Sequence, residues 1–257
     1  MKNFVFQSVV KFSTLFTVIL FSLSSAYAAG VLDPTFGTNG RVVTGFSGEA
    51  AVAKAVEIQP DGKIIVAGDA FRLSKPLVTK RDTVLMRYLP NGALDMSFGN
   101  GGVVFTAVST EDENANAIAL QPDGKIIVAG YVYSPTTISA DFLIVRFNTD
   151  GGLDTNFGNN GVATINRGGI DILSAVVVQP DGKIVGVGAT SDGYRAAIVR
   201  FNSNGSLDAT FGGGAIYFKS QEFNRAGFSE VALLADGRIL AGGNGSVAVP
   251  HSGIASF

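Results

Sequence analysis

A ten-residue frame returns through this chain at long, nearly constant intervals. Gln59-Pro60-Asp61-Gly62-Lys63-Ile64-Ile65-Val66-Ala67-Gly68 reappears at 121–130 and 179–188, and a worn copy runs over 235–242. A second signature interleaves with it, Leu32-Asp33-Pro34-Thr35-Phe36-Gly37, with copies at 94–99, 153–158 and 207–212. A repeat of this length is one supersecondary unit that cannot bury its own faces. It must stack on its neighbours, and that requirement limits the chain to a repeat architecture.

Each unit holds four short apolar runs divided by turn residues, the pattern of antiparallel strands. In the first unit these are 53–59, 63–70, 83–89 and 102–108, here strands a, b, c and d. Pro60-Asp61-Gly62 forms the a–b turn, where Pro fixes φ and Gly supplies a left-handed residue. Strand b is apolar on both faces, so it lies between two other sheets. Radial blades supply that environment, and the expected fold is all-β, a β-propeller of four four-stranded antiparallel blades. The units run over about 53–108, 115–166, 173–219 and 228–257 plus 40–46.

The first residues read as an export signal. Lys2 and Lys11 are basic, 12–25 is apolar, and Ala26-Tyr27-Ala28 offers small residues before a cut at Ala29. The domain is then 29–257, in the periplasm or outside the cell. Removing Lys2 and Lys11 from 19 basic residues leaves 17 against 21 acids, a formal charge of −4. That balance argues against a nucleic-acid partner. No later segment is apolar for long enough to span a bilayer. With no Cys in the chain, disulfides, thiolate metal sites and Cys nucleophiles are excluded.

The pairing of QPDGKIIVAG with VRFNxDGxLDxxFGxxG resembles the delta-60 repeat family, and the resemblance covers 32–257. It implies a β-propeller-like architecture and carries no common activity with it. Its arrays usually exceed four units, so this chain departs in length.

The chain ends speak to closure. The strand 40–46 follows a Leu-Asp-x-x-Phe-Gly motif and is therefore of type d, whereas 252–257 aligns with 196–201 and is of type c. Pairing of the two completes the fourth blade and hides two sheet edges. A monomer is expected on this basis. The alternative is an open arc that dimerises.

Equivalent positions separate scaffold from site. Phe36, Phe98, Phe157 and Phe211 form a column expected to pack between blades. Arg87, Arg146 and Arg200 form another, each eight residues before Asp95, Asp154 or Asp208. A repeated Arg–carboxylate pair reads as a fastening of the c–d corner rather than as a catalytic site. Ser256 stands at the Arg position of the last unit. The Asn/Asp-rich corner 148–154 has the look of a Ca²⁺ loop, but its copies carry too few carboxylates, and an Asx turn explains all of them.

Connections in an up-and-down sheet alternate between its ends. The a–b and c–d turns share one face, fixed by the repeated motifs. The b–c segments (69–82, 131–141, 189–195, 244–251) and d–a segments (47–52, 109–114, 167–172, 220–227) share a variable face, where binding residues are expected. Arg72, Lys75, Lys80 and Arg81 form a basic loop there. Glu111-Asp112-Glu113 is acidic, and the two read as a solvated pair. Tyr131, Tyr133, Tyr194 and Phe223 read either as a contact patch for sugar or protein or as strand-end packing. Seven residues before each Asp lies a polar residue, Lys54, Asn116, Ser174 or Ser229, expected to ring the channel mouth as a small-ligand site or a wet lining. Glu57 and Glu230 break their own columns and are candidate ligand-binding carboxylates.

The only His is His251, and no nucleophile–base spacing or metal cluster is present, so no catalytic residue, metal or cofactor is assigned. The leading expectation is an exported non-catalytic scaffold that binds a protein or glycan on the variable face. The alternatives are a hydrolase with an axial metal at Glu57, Asn116 and Glu230, and a structural module of a surface assembly.

Overall fold

The computed structural model describes residues 31–46, 50–75, 78–191, 195–218, 225–246 and 250–256. The expected export signal, Tyr194 and Phe223 lie outside them, as do the side chains of Arg72, Lys75 and His251.

Among these residues, strands follow one another as four antiparallel sheets in chain order. The first is β1 (Ala51–Ile58), β2 (Ile64–Lys75), β3 (Val78–Tyr88) and β4 (Val103–Thr106). The second is β5 (Asp112–Leu120), β6 (Ile126–Ser134), β7 (Ser139–Phe147) and β8 (Val162–Ile165). The third is β9 (Asp171–Val178), β10 (Ile184–Thr190), β11 (Arg195–Phe201) and β12 (Ala215–Phe218). The fourth has three strands, β13 (Arg225–Leu233), β14 (Ile239–Ser246) and β15 (Pro250–Ser256).

The Asp-Gly frame builds each a–b hairpin. Gly62 N–H donates to Gln59 O at 2.8 Å, Lys63 N–H donates to Asp61 Oδ1 at 3.1 Å, and Gly62 takes φ +81°. The remaining letters of the frame alternate between two interfaces. Ile65 and Ala67 face the second sheet, packed with Ile118, Ile126, Val128, Leu143 and Phe98. Ile127 and Ala129 do the same toward Ile184 and Leu173 of the third. Val185 and Val187 meet Ile239, Ala241 and Phe228 of the fourth. In β6 and β10 strand b is covered on both faces, which is why it is apolar on both.

Every a–b ladder is interrupted at the same place. The register shifts between Ala53 and Ala55, Ala115 and Ala117, Val187 and Gly188, and Phe228 and Glu230. The extra residues are Lys54, Asn116, Ser174 and Ser229, the polar column, so those residues occupy β-bulges. The final Gly of the frame has its reason here. A Cβ on Gly68, Gly130, Gly188 or Gly243 would overlap the carbonyl oxygen of Val52, Asn114, Ile172 or Gly227 on the bulged strand. In the fourth unit the equivalent residue is thus Gly243, one beyond the end of the worn copy at 235–242.

One expectation is corrected. The segment 69–82 is not an irregular loop, because β2 and β3 stay paired through Phe71↔Arg81 to Lys75↔Val78 and extend the first sheet as a two-stranded ribbon. Among the described residues the fourth sheet has no fourth strand. β15 pairs with β14 alone among the described residues, and 40–46 packs on the first sheet. Val42 and Phe46 sit against Val84, Met86 and Phe105, the Phe46 and Phe105 ring centroids are 5.1 Å apart, and Thr44 Oγ1 lies 2.7 Å from Tyr88 Oη.

Candidate functional site

The fixed face consists of fastenings. Arg87, Arg146 and Arg200 each donate from Nε to Oδ2 of Asp95, Asp154 and Asp208 at 2.8 Å. Their guanidinium carbons lie 4.5, 4.5 and 4.3 Å from the ring centroids of Phe98, Phe157 and Phe211. A third member escaped the sequence analysis. The Lys of the Asp-Gly-Lys turn reaches the same carboxylate, with Lys63, Lys125 and Lys183 at 3.2, 3.0 and 2.8 Å. The arginines also cross to the next sheet, since Arg87 Nη1 donates to Thr149 O and Arg146 Nη1 to Ser203 O. The carboxyls of Asp95 and Asp208 are held well below the usual range, led by the Ser97 hydroxyl bond in the first case and the Lys183 bond in the second. Burial raises the Asp154 carboxyl, but the Lys125 bond, the Asn156 N–H and the Arg146 charge outweigh it and lower it.

The variable face is different, because most of its polar groups change from unit to unit. Bulging turns Lys54 Nζ toward Asp69 Oδ1 at 2.5 Å and Asn116 Oδ1 at 3.4 Å. Asn116 Nδ2 donates onward to Leu173 O at 2.8 Å. Three successive sheets are thus linked around the axis. Ser229 bonds within its own sheet, to Gly242 O at 3.5 Å, so the polar column does not join into one ring among the described residues. Glu57 lies three residues along the strand from the bulge, roughly 10 Å away, and lines a cavity of about 590 Å³ at the Asp-Gly end with Gln121 and Pro180. It is therefore not brought to Asn116. Glu230 is exposed beside the bulge of the fourth sheet.

A cleft of about 430 Å³ opens on this face where three sheets meet. Phe71 and Arg81 come from the first sheet. Asp112, Asn114, Tyr131, Tyr133 and Ala140 come from the second, with Asp112 opposite Tyr133 and Asn114 opposite Tyr131 in the ladder. Ile170 and Ile172 close it from the third. The Arg81 guanidinium lies 4.4 Å over the Phe71 ring, donates from Nη1 to Asn114 Oδ1 at 3.3 Å and stands 3.8 Å from Asp69 Oδ2. Arg81 N–H donates to Asp112 Oδ1 at 3.1 Å. Burial pushes the Tyr131 hydroxyl above its ordinary value.

The charged loops are not the solvated pair expected. Glu113 is fully buried and accepts Val108 and Ser109 N–H at 2.7 Å each, clamping the loop before β5. Lys80 reaches Asp82 at 3.0 Å, Glu113 at 3.9 Å and Ser109 O at 2.6 Å. Burial raises the Glu113 carboxyl, as it does those of Asp171 and Asp141. Asp171 holds the Arg167 N–H at 2.8 Å in the equivalent place one sheet on. Of the cleft residues, Arg81, Asp112, Tyr131 and Tyr133 stood out in sequence. Phe71, Asn114 and Ile172 did not, because nothing in their local pattern distinguishes a cleft wall from an ordinary strand position.

Three segments, 59–98, 121–157 and 179–211, match the model of a domain of unknown function, the DUF5122 beta-propeller. Each matched segment runs from the Gln of the Asp-Gly frame to the Phe of the Leu-Asp-x-x-Phe-Gly motif, and the match supports a β-propeller-like repeat. Among solved structures it is similar to MPT-4, a mannose phosphorylase from Leishmania mexicana, with 14% identity and a TM-score of 0.45 over 82% of this chain and 64% of that one. The chain thus spans less than two thirds of that phosphorylase. It is also similar to the arabinanase Arb43A of Bacillus subtilis, with 13% identity and a TM-score of 0.43 over 78% of this chain and 71% of that one. A third similar structure is an endo-arabinase from Bacteroides thetaiotaomicron, at 13% identity and a TM-score of 0.41 over 79% and 73%. Among curated proteins, none matches the sequence. No helix among the described residues is long and apolar enough to cross a membrane.

Proposed function

We propose that this chain is an exported, non-catalytic β-propeller scaffold of delta-60 repeats that binds a glycan in the variable-face cleft. The observation that carries the reading is the cleft itself. Tyr131, Tyr133 and Phe71 offer apolar ring faces beside Arg81, Asn114 and Asp112, on the one face whose connections differ from unit to unit. Ring faces for the apolar side of a sugar and planar donors for its hydroxyls are what a concave saccharide site needs. Calorimetry against a panel of purified oligosaccharides tests it. Tyr131→Ala and Tyr133→Ala are each expected to weaken the best binder by about tenfold, corresponding to about 1.4 kcal/mol, with a cooperative unfolding transition retained. A ligand that binds equally to both variants, or a protein partner captured through the fixed face, overturns the assignment.

In this reading the ring is completed by pairing of β15 with 40–46. Two observations support it. A Cβ on Gly92 would meet Phe36 and Val42 of the N-terminal segment, just as one on Gly151 would meet Phe98 and Val104, so the segment sits where a preceding unit's d strand belongs. Beside it, Val56 and Ile58 are 61% and 66% exposed, whereas Ile118 and Val176, the counterparts of Val56, are buried and Leu120 and Val178, those of Ile58, are half-buried. A cavity of about 840 Å³ separates that apolar wall from the segment. A monomeric mass in solution with slow amide exchange at 40–46 is the expected result. A dimer with fast exchange there refutes it.

A further inference from the structure

We infer that the saccharide taken by the variable-face cleft is an acidic one, a pyranose bearing a carboxylate, with Arg81 as the specificity-determining residue. The inference rests on the glycan reading and narrows it. Arg81 is anchored on one side only. Its side chain is 39% exposed, Nη1 serves Asn114 and Asp69, and Nε and Nη2 have no hydrogen-bond partner among the described residues. The Phe71 ring beneath fixes the plane of the guanidinium. A fork held flat with two donors turned outward matches a carboxylate bidentately.

The neighbours agree in kind. Asn114 is buried, and its Oδ1 already accepts from Arg81, which leaves the amide N–H groups as the free end. The hydroxyls of Tyr131 and Tyr133 line the same cleft and have no partner among the described residues. The negative charge close by is already engaged. Asp69 lies against Lys54 at 2.5 Å, and Asp112 Oδ1 accepts the Arg81 N–H. Behind the cleft, Asp82 and Glu113 face Lys80. Donors therefore outnumber acceptors, and Asp112 Oδ2, which has no hydrogen-bond partner among the described residues, suits a sugar hydroxyl. A simple carboxylate uses the fork alone, whereas an acidic sugar uses the fork, the rings and Asp112 together.

Calorimetry of the full chain with trigalacturonate, its methyl ester and acetate tests this. Trigalacturonate is expected to bind, with the methyl ester weaker by about tenfold or more. Arg81→Gln is expected to bring the acid down to the level of the ester and leave the ester unchanged. Arg81→Lys, which keeps the charge and loses the fork, is expected to restore only part of the difference. Equal binding of acid and ester overturns the inference, and so does acetate binding as tightly as the trisaccharide. A neutral oligosaccharide that binds in a Tyr131-dependent way while both galacturonate probes fail leaves the glycan reading standing and removes the acidic one. If no saccharide binds, both fall.

Discussion

Arg146→Ala removes a buried member of the fixed face that fastens two sheets. The guanidinium donates to Asp154 at 2.8 Å within its own sheet and to Ser203 O in the next, and it stacks on Phe157 at 4.5 Å. A hydrogen bond to a charged group contributes about 1.5–3 kcal/mol, and stacking on a ring adds about 0.5–2 kcal/mol. Breaking a buried ion pair costs about 3–5 kcal/mol because the remaining charge is stranded. Asp154 is not wholly stranded, since Lys125 stays 3.0 Å away, which places the expectation at the lower end, about 3 kcal/mol. In a domain of this size that is a fall of roughly 6–12 °C in melting temperature. Urea unfolding followed by circular dichroism measures it. Lys125→Ala is the control, because its side chain is 30% exposed and its removal should cost no more than about 1 kcal/mol. The pH dependence carries a sign. The folded Asp154 carboxyl is lowered, so its contribution is full above the unfolded value, about 3.9, and fades as pH falls below it. The gap between wild type and Arg146→Ala should therefore narrow below about pH 4. A cost under about 1 kcal/mol, or a Lys125→Ala loss equal to that of Arg146→Ala, refutes the reasoning.

Three further outcomes are expected. Gly151→Ala should cost several times more than Gly168→Ala in the same unfolding assay. Both residues have positive φ, but a Cβ at Gly151 lies 2.7 Å from Val104 and 2.9 Å from Phe98, while Gly168 faces open space. Glu113→Gln keeps an acceptor for the Val108 and Ser109 N–H groups and removes a buried charge. Because the folded Glu113 carboxyl is raised, wild-type stability should decline as pH climbs from about 4 through its folded value, and the variant should show a shallower decline. Phe98→Ala should cost about 3–5 kcal/mol, as for a fully buried ring. Phe36→Ala should cost as much only if β15 closes over the cavity beside it, and a much smaller loss counts against closure.

The repeat made the hairpins, the blade order and the a–b turn readable, because these depend on short-range chemistry. Asp-Gly sets a turn within four residues, and an apolar run covered on both faces needs no partner named in order to be recognised. The Arg and Asp columns were readable for a related reason: the same eight-residue spacing recurs wherever the corner recurs. The Lys of the turn was in view at every copy. It went unread as a third member because its carboxylate comes from the c–d corner, more than twenty residues along the chain.

The sequence alone determined that this chain folds as a succession of antiparallel sheets, and that one face repeats while the other varies. Tertiary structure decided the rest. It made the polar column a set of bulges, gave each frame-ending Gly its carbonyl neighbour, buried Glu113 that had read as solvated, and joined Phe71, Arg81, Tyr131 and Ile172 into one cleft. The physical reason is range. Turn and strand preferences are properties of a few consecutive residues, whereas burial and clefts depend on which sheet lies opposite, and three sheets far apart in sequence meet at that cleft.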